Sequence, residues 1–153
     1  MEIKSFYEES AREHNSEFTA IPTGKRKFIA HDDRYEIMTK YLQEELSGRK
    51  DLQILDVGCG DGVYEKLLDP QIISSNKFFG LDISDLQRER SKIVFDEIKE
   101  MDFDKDAIPY GDGRFDYVIC SEVVEHLFFP EKILIEIQRV LKRGGCLSLQ
   151  HQI

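Results

Sequence analysis

The segment ILDVGCGDG, residues 54–62, places three glycines and two aspartates directly after an apolar run. Glycine inside a strand or helix costs roughly 0.5–1 kcal/mol relative to alanine, so a cluster of glycines needs a reason. Either the backbone turns sharply there, or a ligand comes very close to it. Bare backbone amides at the start of a helix can also bind an anionic group. The segment is therefore the first candidate for a ligand-binding loop.

Two common nucleotide-binding loops do not fit this spacing. A triphosphate-binding loop ends in Gly-Lys-Ser/Thr, and the segment has no such ending. The dinucleotide fingerprint G-x-G-x-x-G fails because Gly62 comes one residue early and Val63 stands at the third glycine position. An acidic residue, Asp82, does end the next strand-like run, at about the 20-residue distance of the dinucleotide-binding pattern. A carboxylate there can accept hydrogen bonds from both hydroxyls of a ribose.

The elements that must position these residues alternate along the chain after Gly48. Short apolar runs bounded by turn residues predict strands, and amphipathic runs between them predict helices. The predicted strands are residues 52–57, 77–84, 98–103, 115–121 and 146–153. The predicted helices are residues 63–68, the first half of 85–97, and 130–145, the last one ending at Gly144 and Gly145.

This alternation predicts βαβ units and a parallel sheet that is covered on both faces. We predict an α/β, Rossmann-like, doubly wound sheet of about five strands in the order 3-2-1-4-5. Ligands bind such sheets at the carboxyl ends of the strands, where the strand order reverses, and the glycine cluster falls there. An N-terminal helical segment precedes the sheet, with helices predicted over residues 6–15 and from Asp32 to Leu46, and a loop over 18–27.

Blocks of the chain resemble, in order, the class I S-adenosylmethionine-dependent methyltransferases, in particular the small-molecule type 11 group. The blocks are ILDVGCGDG, FFGLDIS, DFDKDAIPYGDGRFDYVICSEVVEHL and ILIEIQRVLKRGG, all within residues 54–145. The resemblance implies S-adenosylmethionine as the cofactor and methyl transfer as the reaction. Asp56, Gly58, Cys59 and Gly60 would line the methionine part of its pocket, Asp82 would hold the ribose, Ile83, Asp102 and Phe103 would surround the adenine, and the Ser121 carbonyl would meet the ammonium group.

For three of these residues a structural role is also open. Asp56 could cap the adjacent helix, Asp102 could be a solvated turn residue, and Phe103 could belong to the core. Methyl transfer itself needs mainly an in-line arrangement of nucleophile and methyl group, and a general base only where the acceptor must lose a proton. The candidate base is His126 in SEVVEHL; packing and cofactor support are its alternative role, because Glu-His-Leu recurs across the family whatever the substrate.

The N-terminal segment, residues 1–48, is expected to form part of a lid over the acceptor, as N-terminal helices do in this family. Its aromatic residues are Phe6, Tyr7, Phe18 and Tyr35, which could face the acceptor or pack between helices. The basic cluster GKRK, residues 24–27, is followed by Arg34, and it could contact an anionic acceptor or form a solvated loop. His14 and His31 are expected at the surface.

The composition limits the partners. A formal net charge of −9 disfavours nucleic acids and anionic membrane surfaces. No apolar run approaches the roughly 20 residues of a membrane span, and no signal-peptide pattern is present at the N-terminus. Cys59, Cys120 and Cys146 lie in or beside apolar runs and lack metal-ligand spacing. We therefore expect buried, reduced cysteines in a cytoplasmic protein that binds a small-molecule acceptor and no metal.

We expect residues 1–153 to form a single methyltransferase-like domain, with a cofactor-binding core over 49–153. The family sheet normally has seven strands, so the core is short at its C-terminus, and its last strand is an apolar edge that could pair with a second chain. The favoured function is S-adenosylmethionine-dependent methyl transfer. The alternatives are a non-catalytic cofactor-binding or scaffolding protein, a truncated methyltransferase fragment, and an NAD-dependent oxidoreductase, against which the misplaced third glycine argues.

Overall fold

The computed structural model describes residues 3–13 and 33–150. Several predictions concern residues outside this description. They are the predictions for the loop over 18–27 with its basic cluster, for Phe18, His14 and His31, for the side chain of Arg34, and for residues 151–153.

A parallel sheet with the strand order β3-β2-β1-β4-β5 forms the centre of the described structure. Its strands are β1 (Gln53–Val57), β2 (Lys77–Asp82), β3 (Glu97–Glu100), β4 (Phe115–Ser121) and β5 (Leu141–Gln150). All four strand pairs are parallel, so the carboxyl ends of the strands share one edge of the sheet. The predicted fold class and strand order are confirmed, and the order reverses between β1 and β4.

The helices precede the sheet or connect its strands. They are α1 (Ile3–Glu13), α2 (Asp33–Leu46), α3 (Val63–Leu67), α4 (Pro70–Ser75), α5 (Asp85–Ser91) and α6 (Pro130–Val140), with a short 3-10 helix at Val124–His126. α4 was not predicted: Asp69 and Pro70, which follow the helix predicted over 63–68, begin a new one. The side chain of Asp69 caps α4 by accepting a hydrogen bond from the Gln71 amide at 2.7 Å.

Two apolar layers cover the two faces of the sheet. Along β1, Ile54 belongs to one layer, whereas Leu55 and Val57 belong to the other. This follows from the alternation of side chains along a strand. The Ile54 layer is filled by α2, α3 and α4, and the opposite layer by α6. Both faces are therefore buried, as the near-continuous apolar strands predicted.

The boundary between α6 and β5 differs from the prediction. α6 ends at Val140, and β5 begins at once at Leu141, so Gly144 does not end the helix. Leu141 pairs with Phe115 and Cys146 pairs with Tyr117, so the segment between them bulges out of the ladder. Gly144 has a φ of +80°, which suits glycine and lets the chain return to the sheet. Gly144 and Gly145 therefore belong to this bulge.

The cysteines follow the prediction in part. Cys59 and Cys120 are buried, but Cys146 is exposed. The prediction of burial is wrong for Cys146 because it follows the bulge on β5, an edge strand of the described sheet. Leu147 and Leu149 on the same strand are 38% and 43% exposed, and self-association through this edge stays a prediction. Within residues 3–13 and 33–150, no helix is long and apolar enough to cross a membrane.

Candidate functional site

A cavity of about 390 Å³ opens at the carboxyl ends of β1, β2 and β4. Its size lies in the range of small-molecule sites. Of the residues proposed from the sequence, the cavity is lined by Gly58, Asp82, Ile83, Asp102, Phe103 and His126. The lining does not include Asp56, Cys59, Gly60 or Ser121. The structure therefore brings most of the expected site together and places the remainder outside the cavity wall.

The glycine loop folds back over the end of β2. The amides of Gly58 and Cys59 both donate to the Leu81 carbonyl, at 2.8 and 3.1 Å. Gly58 has a φ of +76°, and a Cβ added there would lie 2.3 Å from Cγ2 of Val123. Only a residue without a side chain fits such a position. Because Gly58 and Val123 both line the cavity, this close approach defines one wall of it.

Asp82 is fixed by the backbone around it. Its Oδ2 accepts a hydrogen bond from the Gly60 amide at 3.0 Å, and its Oδ1 accepts one from the Ser84 amide at 2.8 Å. Burial raises the pKa of the Asp82 carboxyl, although these two hydrogen bonds act in the opposite direction. A carboxylate oxygen can accept more than one hydrogen bond. Asp82 thus retains acceptor capacity toward a ligand in the cavity.

Asp102 and Phe103 combine structural contacts with a place in the cavity wall. Asp102 Oδ1 accepts from the Asp104 amide at 3.1 Å, and its Oδ2 pairs with Lys105 at 2.7 Å. The residue therefore organises a turn, the alternative considered for it. Phe103 packs against the core layer beneath the cavity and also lines the cavity.

Three of the proposed residues are buried behind the cavity. Asp56 is inaccessible in β1 and does not cap a helix, because the N-cap of α3 is Gly62. Burial is the main cause of the raised pKa of Cys59, and Asp56 and Asp82 raise it further. Cys59 is therefore a neutral thiol at physiological pH. The Ser121 hydroxyl lies 2.7 Å from the Tyr64 hydroxyl, which ties the end of β4 to α3.

The segment after β4 supplies the far wall. Glu122 has a φ of +57°, an unfavourable conformation for a residue with a side chain. Such strain is found preferentially at functional sites. This turn brings Glu122, Val123 and His126 to the cavity, with His126 exposed at its mouth. Val123, Leu127 and Phe128 were not proposed from the sequence; the apolar residues around His126 in VVEHLFF were the available signal.

Helix α1 lies across the opening and is held by polar contacts with α5 and β3. Lys4 pairs with Asp85 at 3.1 Å and with Glu100 at 2.6 Å. Glu8 Oε1 accepts hydrogen bonds from the amides of Asp85 and Leu86 at the start of α5. These contacts place Ile3, Phe6 and Tyr7 of α1 in the cavity wall.

Tyr7 carries the hydroxyl that α1 brings to the cavity. Burial raises the pKa of its phenol, and the carboxylates of Asp104, Asp82 and Asp102 add to this effect. The phenol therefore remains protonated at neutral pH and can donate a hydrogen bond to a ligand.

The family model described as "Methyltransferase domain" matches residues 55–149 of the chain. The match runs from within β1 to within β5 and includes the glycines of the loop. The chain therefore belongs to this methyltransferase domain family.

Curated relatives carry the same similarity. The chain is 31% identical over 137 residues to the mitochondrial ubiquinone biosynthesis O-methyltransferase of Candida albicans, covering 84% of this chain and 39% of the relative. It is 28% identical over 116 residues to the demethylmenaquinone methyltransferase of Staphylococcus aureus, covering 74% of this chain and 48% of that one. The chain thus spans less than half the length of each of these relatives.

Solved structures share the fold. A SAM-dependent methyltransferase from Aquifex aeolicus superposes with a TM-score of 0.59 at 21% sequence identity, covering 72% of this chain and 62% of that one. This agreement supports the fold.

Proposed function

We propose that the chain binds S-adenosylmethionine in the cavity and transfers its methyl group to a small-molecule acceptor. The observation that carries this proposal is the position of the half-buried Asp82 carboxylate. It lies at the end of β2, one strand from the glycine loop, and lines the same cavity as Gly58. Family membership supports the proposal independently.

The residues present fit this cofactor. Asp82 retains acceptor capacity for two ribose hydroxyls while its oxygens are held by the amides of Gly60 and Ser84. The glycine at position 58 allows an aminoacyl group to approach the backbone, which a side chain there would prevent. Ile83 and Phe103 offer apolar surface for the adenine ring, and Asp102 lines the cavity with them.

When bound, S-adenosylmethionine supplies an electrophilic methyl group on a sulfonium. The task of the protein is mainly to hold the acceptor in line at about 3–3.5 Å from that methyl group. Phe6, Tyr7 and Phe128 could form an apolar and aromatic boundary for an acceptor. His126 at the mouth could accept a proton from an acceptor hydroxyl, which makes it the candidate general base.

A phenolic precursor of a quinone is the first acceptor to test. The printed names of the two relatives above concern ubiquinone and demethylmenaquinone. The aromatic residues in the cavity wall suit a planar ring, since aromatic pairs are stabilised by offset or edge contacts. Similarity and the aromatic residues of the wall together support this acceptor class.

Two measurements test the proposal. Titration calorimetry with S-adenosylhomocysteine should give saturable binding. The absence of heat at millimolar ligand would mean a binding free energy weaker than about −4 kcal/mol, and it would contradict the proposal. Transfer of a labelled methyl group to a dihydroxylated benzoate or a demethylated quinol should follow. His126→Gln should lower the transfer rate and leave the affinity for S-adenosylhomocysteine unchanged.

The alternative is a non-catalytic cofactor-binding protein. Coverage of less than half of each of the two relatives described above motivates it, because the activities in their names belong to the whole length of those proteins. It predicts that S-adenosylhomocysteine binds but that no acceptor becomes labelled, even when a whole metabolite extract is supplied.

A further inference from the structure

Two acidic side chains, Asp56 and Glu65, are buried next to the glycine loop. They are 2% and 1% exposed, although neither belongs to the cavity wall. Asp56 lies near the end of β1, and Glu65 lies on α3, the first helix after the loop. Asp56 shares its side of β1 with Ile54, whose apolar layer also contains Tyr64 of α3. The two carboxyl groups therefore meet between β1 and α3.

Within the described residues, three of the four carboxyl oxygens of the pair receive no hydrogen bond from a third residue. This holds for Oδ2 of Asp56 and for both carboxyl oxygens of Glu65. A hydrogen bond between the two side chains requires a proton on one of them. Burial of an unpaired carboxylate costs several kcal/mol, so it raises both pKa values, that of Glu65 to about 7. The pair thus holds at least one proton near neutral pH.

The surroundings do not neutralise the pair. The titratable or charged groups that face it are Cys59, Asp61, Tyr64, Lys66, Asp82 and Cys120. Lys66 is the single cation among them, and it pairs with Asp61 at 3.2 Å near the surface. From α2, the apolar side chains of Met38 and Leu42 fill the same layer. The protonation of the pair is therefore expected to depend on the charge of a ligand in the neighbouring cavity.

The link to the cavity runs through the electrostatic field. The negative charge of Asp82, which lines the cavity, contributes to the raised pKa of Asp56. A positive charge in the cavity acts on the pair with the opposite sign and favours loss of the shared proton. S-adenosylmethionine carries such a charge permanently on its sulfonium, and its demethylated product does not.

We propose that Asp56 and Glu65 share a proton that is released to solvent when a sulfonium ligand occupies the cavity, with Glu65 acting as a positioning residue. Release adds one negative charge to the pair, and this added charge balances the sulfonium. The pair thereby favours S-adenosylmethionine over its neutral product, and the pair takes the proton up again after the methyl group has left. This inference rests on the proposed function of the cavity.

Titration calorimetry of the full chain with S-adenosylmethionine and with S-adenosylhomocysteine, in phosphate and in imidazole, tests the proposal. At pH 6.5 the apparent binding enthalpy of S-adenosylmethionine should differ between the buffers, because a released proton is taken up by the buffer. That of S-adenosylhomocysteine should differ less. From pH 6 to pH 7, the affinity for S-adenosylmethionine should rise about three- to tenfold, as expected for the release of up to one proton.

Glu65→Gln removes the shared titration and preserves the side-chain shape. The variant should bind S-adenosylmethionine with an affinity that varies less than twofold from pH 6 to pH 7. The α-amino group of the ligand titrates equally with both proteins, so the variant also controls for it. Buffer-independent enthalpy for the unmodified chain, together with tight binding of both ligands, would overturn the proton pair and leave the proposed function intact. Failure of both ligands to bind at any pH would overturn both.

Discussion

The amide of Gly60 donates a hydrogen bond to Oδ2 of Asp82 at 3.0 Å. This contact joins the glycine loop after β1 to the carboxyl end of β2. A second contact, from the Ser84 amide to Oδ1, joins the same carboxylate to the start of α5. The carboxylate that we assign to ribose binding is therefore held by two loops before any ligand arrives, which lowers the entropic cost of binding.

Substitution of Asp82 tests this preorganisation. Asp82→Ala removes both ribose acceptors and both loop contacts, so the affinity for S-adenosylhomocysteine should fall by about 1–3 kcal/mol. Calorimetry gives the value directly. Asp112→Ala is the matched control, because this exposed carboxylate pairs with Arg139 and is not part of the cavity lining. An affinity of Asp82→Ala equal to that of the control would mean that the ribose does not bind at the end of β2.

The glycines allow a graded test of close approach. Gly58→Ala should destabilise the fold by about 2–5 kcal/mol, because its Cβ would collide with Val123 and its φ is positive. Gly60→Ala should cost only about 1–2 kcal/mol, since φ is +54° but the space around its Cβ is open. Gly111→Ala, with open space and no positive φ, should be neutral within about 0.5 kcal/mol. Urea unfolding of the three variants measures the order, and an equal effect at all three positions would contradict it.

Most of the fold followed from the sequence because its signals are local. The predicted strands over 52–57 and 115–121 end where β1 and β4 end, and the predicted strand over 77–84 ends two residues beyond β2. The end of α6 could not be obtained in this way. Whether residues after Val140 continue a helix or enter the sheet depends on pairing with β4, which is a long-range contact.

The residues of the candidate site that belong to a backbone motif could be predicted from the sequence. Those whose role depends on packing were harder to predict. Gly58 and Asp82 follow from the glycine loop and from the residue that ends the next strand. Glu65 was not singled out, although its spacing from Leu68 in VYEKLL places both on one side of a helix. A glutamate on a buried helix face is rare, so burial had to be seen before its significance could be argued.

The contact between α1 and α5 should control access to the cavity. Glu8→Ala removes the acceptor for the Asp85 and Leu86 amides, so α1 should detach more often and carry Tyr7 away from the cavity. We expect a three- to tenfold loss of affinity for S-adenosylhomocysteine and faster cleavage of α1 by trypsin. Glu9→Ala is the control, because Glu9 is exposed on the same helix. Equal behaviour of the two variants would show that the Glu8 contact does not hold α1 in place.

The buried position of Glu65 makes a prediction about stability that needs no ligand. The pKa of Glu65 is about 7 in the folded chain and close to 4.5 once unfolded. Between these values the folded state binds more protons, so the free energy of unfolding falls as the pH rises. Glu65→Gln lacks this loss, and its stability relative to the unmodified chain should increase by about 2–3 kcal/mol between pH 4.5 and pH 7.5. Urea unfolding across this range measures the difference, with Glu44→Gln on the exposed side of α2 as the control. A constant difference between Glu65→Gln and the unmodified chain would show that Glu65 is already ionised in the folded state and contributes no proton to the pair.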